Sequence, residues 1–168
     1  MKSIAIIYGS STDNTKDAAV KIAAKLSGYE VSIKDVCEVS EEDFQHRDLL
    51  VLGTSTWGIG ELQDDWGGFF NKFEKMDLSG KTIALFGLGD SSGYPDSFVD
   101  GMGILYEVAS KKGCRIIGEV SADGYTFDDS KAFQNGIFVG LPLDEDNESD
   151  MTDTRIAKWT ELLKSQLG

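Results

Sequence analysis

Three runs of this chain consist almost wholly of aliphatic and aromatic residues: Ile-Ala-Ile-Ile-Tyr at 4–8, Leu-Leu-Val-Leu at 49–52 and Thr-Ile-Ala-Leu-Phe at 82–86. A strand with one wet face alternates apolar and polar side chains. These runs do not, so both of their faces are covered, as in a parallel sheet held between two layers of helix. Between the runs the apolar residues shift to helical spacing. Ala18, Ala19, Ile22, Ala23 and Leu26 lead to Ser27-Gly28, Phe98, Met102, Leu105 and Ala109 lead to Gly113, and Ile156, Trp159, Leu162, Leu163 and Leu167 lie near the end of the chain behind a cap at Thr152 or Asp153. Trp66, Phe69, Phe70 and Phe73 stand at i, i+3, i+4, i+7 and read as a core stripe. A shorter strand is expected over 31–36, followed by a capped turn at Ser40-Glu41-Glu42-Asp43. The last strand begins at Arg115-Ile116-Ile117-Gly118 and resumes at 137–141, so the polar, aperiodic residues 119–136 read as an insertion that interrupts it.

Strand and helix alternating in this way predict an α/β fold: a doubly wound, five-stranded parallel sheet of order 2-1-3-4-5 with right-handed crossovers and an insertion in strand five. At 168 residues the chain is long enough for one domain, 1–168, with a proper core. In this order the ligand crevice lies between strands one and three, where the C-terminal loops diverge. Three loops share that edge, at 10–15, 54–62 and 87–97.

The first of them is rich in hydroxyls: Ser10, Ser11, Thr12, Asp13, Asn14 and Thr15 follow Gly9 and open a helix. Such a turn aims free backbone N–H groups and the positive end of the helix dipole at one spot, which suits a phosphate. Capping by Thr12 or Asp13 is the simpler use of the same residues. No Gly-Lys-Ser/Thr follows, which excludes the lysine-bearing loop of nucleotide triphosphatases and points to a monophosphate. The loop holds no basic residue, so backbone N–H groups and the side chains of Ser10, Thr12, Asn14 and Thr15 are the donors.

The second loop contributes Thr54, Ser55, Thr56, Trp57, Gly58, Ile59 and Gly60, and the third Gly87, Leu88, Gly89, Asp90, Tyr94 and Asp96. Each sets one aromatic, Trp57 or Tyr94, among glycines and small polar residues. A planar ring system between the two aromatics, with its phosphate tail in the first loop, fits this inventory.

Taken in order, Tyr-Gly-Ser-Ser-Thr-Asp-Asn-Thr at 8–15, Thr-Trp-Gly-Ile-Gly-Glu-Leu at 56–62, Gly-Asp-Ser-Ser-Gly-Tyr at 89–94 and Asp-Gly-Tyr-Thr-Phe at 123–127, leading to Phe-Val-Gly-Leu-Pro-Leu-Asp at 138–144, resemble flavodoxin of the long-chain type over essentially the whole chain. The resemblance implies FMN as cofactor and electron carriage between larger redox enzymes, without catalysis of its own. It implies a low-potential one-electron shuttle between a neutral semiquinone and an anionic hydroquinone, the anion being disfavoured by acidic surroundings. It further implies that the Trp57–Gly58 peptide turns its carbonyl toward the ring, that Asp90 meets the polar ring edge and that Asp146 approaches the ribityl chain. One departure stands out: the family usually has glycine where this chain has Asp13, which is expected to weaken FMN binding.

The chain carries 16 Lys and Arg against 29 Asp and Glu, a net charge of −13. That balance repels nucleic acid and anionic membranes and favours basic protein faces. The resemblance makes such a partner a flavodoxin/ferredoxin-NADP reductase type enzyme and an electron acceptor, met by a monomer through Asp144, Glu145, Asp146, Glu148 and Asp150 with Glu61, Asp64 and Asp65. Cys37 and Cys114 lack metal or CxxC spacing and read as buried reduced thiols, and no signal peptide or membrane span is apparent, so a cytoplasmic location is expected. His46, with no partner set for catalysis, reads as a surface residue. The rival reading is an FMN-dependent NAD(P)H or quinone reductase of the same fold, but Gly87-Leu88-Gly89-Asp90-Ser91-Ser92-Gly93 fails the GxGxxG spacing at Ser92. A phosphorylated response regulator needs an acceptor Asp after strand three, where Trp57 stands.

Overall fold

β1 (Ser3–Gly9) runs parallel to both of its neighbours, β2 (Glu30–Asp35) and β3 (Leu49–Trp57), with Ile6 level with Ile33 and Val51. The computed structural model describes residues 1–168 and places β5 (Thr82–Leu88) on the far side of β3, giving the order β2-β1-β3-β5-β6. β6 (Arg115–Ile117) pairs with the first half of β5, and β9 (Leu141–Leu143) pairs with its second half. Strand five is therefore one sheet position filled by two pieces of chain, as the interrupted pattern predicts.

Alternate residues of the central strands face opposite layers. Ile4, Ile6, Val51, Ala84 and Phe86 pack with Ile22 of α1 (Asn14–Lys25) and with Ile156 and Trp159 of α4 (Thr152–Leu167). Ala5, Ile7, Leu50, Leu52 and Leu85 pack with Phe69 and Phe73 of α2 (Asp64–Lys75) and with Met102 and Leu105 of α3 (Asp100–Ser110). This two-sided burial is why the runs lack a polar alternate, and each of the buried Ile, Leu, Val and Phe side chains contributes about 1.5–3 kcal/mol of transfer free energy. The α2 stripe is core: Trp66 donates its indole N–H to the Gly53 carbonyl (2.8 Å), and Phe44, at the end of the capped turn, stacks on Phe69 at 5.6 Å. Phe70 is only half-buried.

Four expectations shift. Residues 137–138 do not rejoin the sheet: β8 (Ile137–Phe138) turns back on β7 (Phe133–Gln134), and the sheet resumes only at Leu141. The cause is Asn135-Gly136, both with positive φ, the two-residue turn that suits a tight hairpin. The insertion is not merely polar: its Tyr125 and Phe127, with Phe138, gather on Phe98 and extend the core layer of α2 and α3. Cys37 is exposed rather than buried, because Val36 takes the inward position of the turn after β2, while Cys114 is half-buried; both are free thiols. The side chains at the head of α4 do not cap it, since the Thr152 hydroxyl donates to the Glu145 carboxylate instead. No helix is long and apolar enough to cross a membrane.

Candidate functional site

β1 delivers the chain into the first loop at Gly9, where a side chain would collide with Gln63 and Trp66. None of the backbone N–H groups from Ser11 to Thr15 has a hydrogen-bond partner within the chain, and Lys16 N–H reaches only the Ser10 hydroxyl at 3.4 Å. The donors predicted from the sequence are thus free and gathered at one helix end. Asp13 occupies the cap position with φ 68°, in the left-handed region, and its carboxylate makes no cap bond and is exposed. Glycine adopts this backbone without strain, whereas an L-residue is held there at about 1–2 kcal/mol.

At the end of β3, Trp57 pairs with Glu61 of the two-residue strand β4 (Glu61–Leu62), so residues 58–60 form a tight hairpin tip. Gly58 and Gly60 carry φ of 53° and 82°, and a Cβ on Gly60 would meet the Asp100 carboxylate. The Trp57 indole N–H donates to the Ser55 hydroxyl at 2.8 Å, which fixes the ring although it is 41% exposed. Thr56 accepts the Gly101 N–H at 2.9 Å, tying the loop to α3.

β5 ends against the third loop, whose Gly89 N–H donates to the Leu143 carbonyl (3.0 Å). Asp90 accepts from Gly93 N–H (2.8 Å), from the Asn147 side-chain amide (2.8 Å) and from Ser92 N–H (3.2 Å), and these bonds, that of Gly93 foremost, hold its carboxyl below the ordinary aspartate range. Beneath it lies Asp144, fully buried, which accepts from Ser91 and from both the backbone and side-chain N–H groups of Asn147. Asp146 is pushed the other way, upward, by desolvation and then by the negative charges of Asp90, Asp144 and Glu145. Tyr94 stands 49% exposed across from these groups.

The three loops enclose a cleft of about 350 Å³. Thr12 and Asn14 line one end, Ser55, Thr56, Trp57 and Gly58 a second stretch, and Leu88, Gly89, Asp90 and Tyr94 a third, with Glu145 and Asp146 completing the wall. Such a site offers anion donors at one end, aromatic faces in the middle and carboxylates at the other side.

The sequence model of the Flavodoxin family matches residues 6–159. This chain belongs to the flavodoxin family. It is 45% identical to a flavodoxin of Nostoc sp. over 99% of this chain and 98% of that one. A Trichodesmium erythraeum flavodoxin is 44% identical, covering 100% and 99% of the two chains. Among solved structures, Fusobacterium nucleatum flavodoxin bound to flavin mononucleotide superposes with a TM-score of 0.93 at 32% identity, covering 99% of each chain.

Against the flavodoxin pattern, the positions fall into groups. Thr12, Asn14, Ser55, Thr56, Trp57, Gly58, Leu88, Gly89, Asp90, Tyr94 and Asp146 share the cleft wall. Ser10, Ser11, Asp13 and Thr15 belong to the first loop behind or beside that wall, and Thr54 and Gly87 are packed beneath the loops. Ile59, 89% exposed at the hairpin tip, points to solvent, and Asp96 is exposed outside the cleft wall. Two supporting residues are not singled out by sequence. Gln63 is completely buried; its Oε1 accepts from Asp65 and Trp66 N–H at the head of α2 while its Nε2 donates to the Ser11 hydroxyl (3.0 Å). Asn147 bridges Asp90 and Asp144. The signal for Gln63 was its place just before the aromatic stripe, obscured because glutamine is not a usual cap residue.

Proposed function

We propose that this chain binds FMN non-covalently in the three-loop cleft and carries electrons between redox enzymes in the cytoplasm, as a monomer without catalysis of its own. The observation that carries the reading is the meeting, in one cleft of a flavodoxin-family chain, of a loop of free N–H donors that holds no basic residue with Trp57 and Tyr94. The residues fit the group. The N–H groups of 11–15, with the hydroxyls of Thr12 and Thr15 and the Asn14 amide, take the phosphate; Trp57 and Tyr94 cover the ring and exclude water; Asp90 meets its polar edge; and Asp146 faces the ribityl chain.

When bound, FMN supplies one-electron chemistry at low potential, working between its half-reduced and fully reduced forms. The chain's part is electrostatic. Asp90 is held ionised by its hydrogen bonds, and Glu145 and Asp146 line the same wall, so added negative charge on the ring is opposed at short range in a partly dry site. Gly58, free of a side chain at φ 53°, lets the Trp57–Gly58 peptide present its carbonyl to a ring N–H. The exposed acidic groups around the cleft suit a basic face on a flavodoxin/ferredoxin-NADP reductase type enzyme and on an acceptor.

Titration of the purified chain into FMN, followed by flavin fluorescence, tests the reading. Quenching that saturates at one FMN per chain is expected, and stepwise reduction of the loaded protein with dithionite should take the flavin spectrum through a distinct half-reduced stage. Unquenched fluorescence would overturn it, and direct oxidation of NADPH by the loaded protein would move it to the reductase class.

A further inference from the structure

The loop that gathers the free N–H donors has little of its own to hold it in shape. The side chains of Thr12, Asp13, Asn14 and Thr15 make no hydrogen bond, and the 3.4 Å contact between Ser10 and Lys16 N–H stays within the loop and the helix it opens. No backbone hydrogen bond ties residues 10–13 to an element other than α1, and Asp13 keeps a φ of 68°, a strained backbone for an L-residue. The shape is therefore set from outside. One hydrogen bond reaches the loop from another element: Gln63 Nε2 donates to the Ser11 hydroxyl at 3.0 Å.

Gln63 is fully buried just ahead of α2. Its Oε1 accepts the N–H groups of Asp65 (3.0 Å) and Trp66 (3.2 Å), and the second Nε2 proton goes to the Asp65 carboxylate (2.9 Å). Both donors and both acceptor sites of the amide are engaged, and the pair of N–H groups on Oε1 fixes which end faces the loop. Gly9 makes room for it, since a side chain there would collide with Oε1. A carboxylate in its place would confront Asp65, and an aliphatic chain would have no proton to give. One end of the amide is thus seated in α2 and the other under the anion loop. Holding a loop ready before its ligand arrives spares the ordering cost at binding. We infer that Gln63 is a positioning residue: acting through Ser11, it keeps the anion loop in its binding shape and so gives a flavin that carries a phosphate its advantage over the same ring without one. The inference rests on the FMN reading of the cleft.

Parallel titrations with FMN and with riboflavin, followed by flavin fluorescence, test it, because riboflavin uses the aromatic faces and leaves the anion loop idle. Ser11→Ala keeps the bonds of Gln63 to α2 and removes only the hydroxyl; FMN affinity should fall roughly fivefold, the worth of one neutral hydrogen bond, with riboflavin affinity unchanged. Ser11→Thr retains a hydroxyl and should keep the preference. Gln63→Met should lower the ratio of the two affinities by the same factor, and Gln63→Met combined with Ser11→Ala should lower it no further. Because Gln63→Met also uncaps α2, Ser11→Ala and Ser11→Thr carry the test if that variant fails to fold. Equal losses for both flavins, an unchanged ratio in either single variant, or losses that add in the double variant would each overturn the inference and leave Gln63 as the cap of α2 alone. Failure of the natural chain to bind FMN would bring down the FMN reading and this inference with it, whereas an unchanged ratio beside FMN binding by the natural chain removes this inference alone.

Discussion

The two ends of the cleft are built on opposite principles. At the first loop the donors are left free: five consecutive residues, 11–15, carry N–H groups with no partner in the chain, and no side chain caps the helix behind them. At the acidic end little is left free, because Asp90 and Asp144 are gripped by Ser91, Ser92, Gly93 and Asn147. The first arrangement answers to whatever anion arrives. The second fixes polar groups in advance, since Asp90, saturated with donors, keeps its charge and both carboxylates keep their place. On the proposed reading the first end sets FMN affinity and the second the field around the ring, so the two should respond separately to mutation.

The sharpest break of that division is Asp144→Ala. It removes the buried acceptor of the Ser91 and Asn147 donors and leaves a gap where the fully buried carboxylate was, and a loss of about 1–3 kcal/mol in unfolding free energy is expected by denaturant titration. Thr12→Val with Thr15→Val attacks the other end. These hydroxyls have no partner in the chain, so the unloaded protein should keep its stability while FMN affinity falls at least about tenfold; an unchanged dissociation constant would refute their assignment. Asp13→Gly should act in the reverse sense. Removing its negative charge from the phosphate loop is expected to tighten FMN binding by a few-fold, while relief of the left-handed backbone should appear in the stability of the unloaded protein; equal affinities in parallel titrations would count against it.

The smallest effect lies in pH dependence and carries opposite signs at two neighbouring carboxylates. Asp90 is lowered, so its stabilisation is present above the ordinary aspartate value and fades as pH falls through the lowered one. Asp90→Asn should thus cost stability at neutral pH and cost nothing in strong acid. Asp146 is raised, so ionising it weakens the fold as pH climbs from the ordinary value through the raised one. Asp146→Asn should remove that loss and gain on the natural chain across the same window. Thermal melts of both variants from acid to neutral pH would show the crossing.

The sheet order, the two helical layers and the three loops were legible because each rests on a local pattern: runs apolar on both faces, helical spacing, and small residues at the strand ends. What escaped depends on contacts distant in sequence. An acidic run reads as a solvated face, and only tertiary packing turns Asp144 inward to Ser91 and makes Asn147 a bridge to Asp90. Strand five resumes later than its apolar pattern suggests because Ile137 and Phe138, as apolar as a sheet strand, are folded back into a hairpin by the Asn135-Gly136 turn. Cys37 has the hydrophobicity of a core residue but sits one position off the inward face.

The chain has 3 tryptophans, and their surroundings differ sharply: Trp66 and Trp159 are sealed in the two cores at 0% and 2% exposure, while Trp57 stands 41% exposed at the cleft. Light emitted by the sealed pair reports whether the two layers are intact. The longer-wavelength light of the third reports whether something flat has settled beside it. A single emission spectrum thus distinguishes an unfolded molecule from one that is merely unloaded.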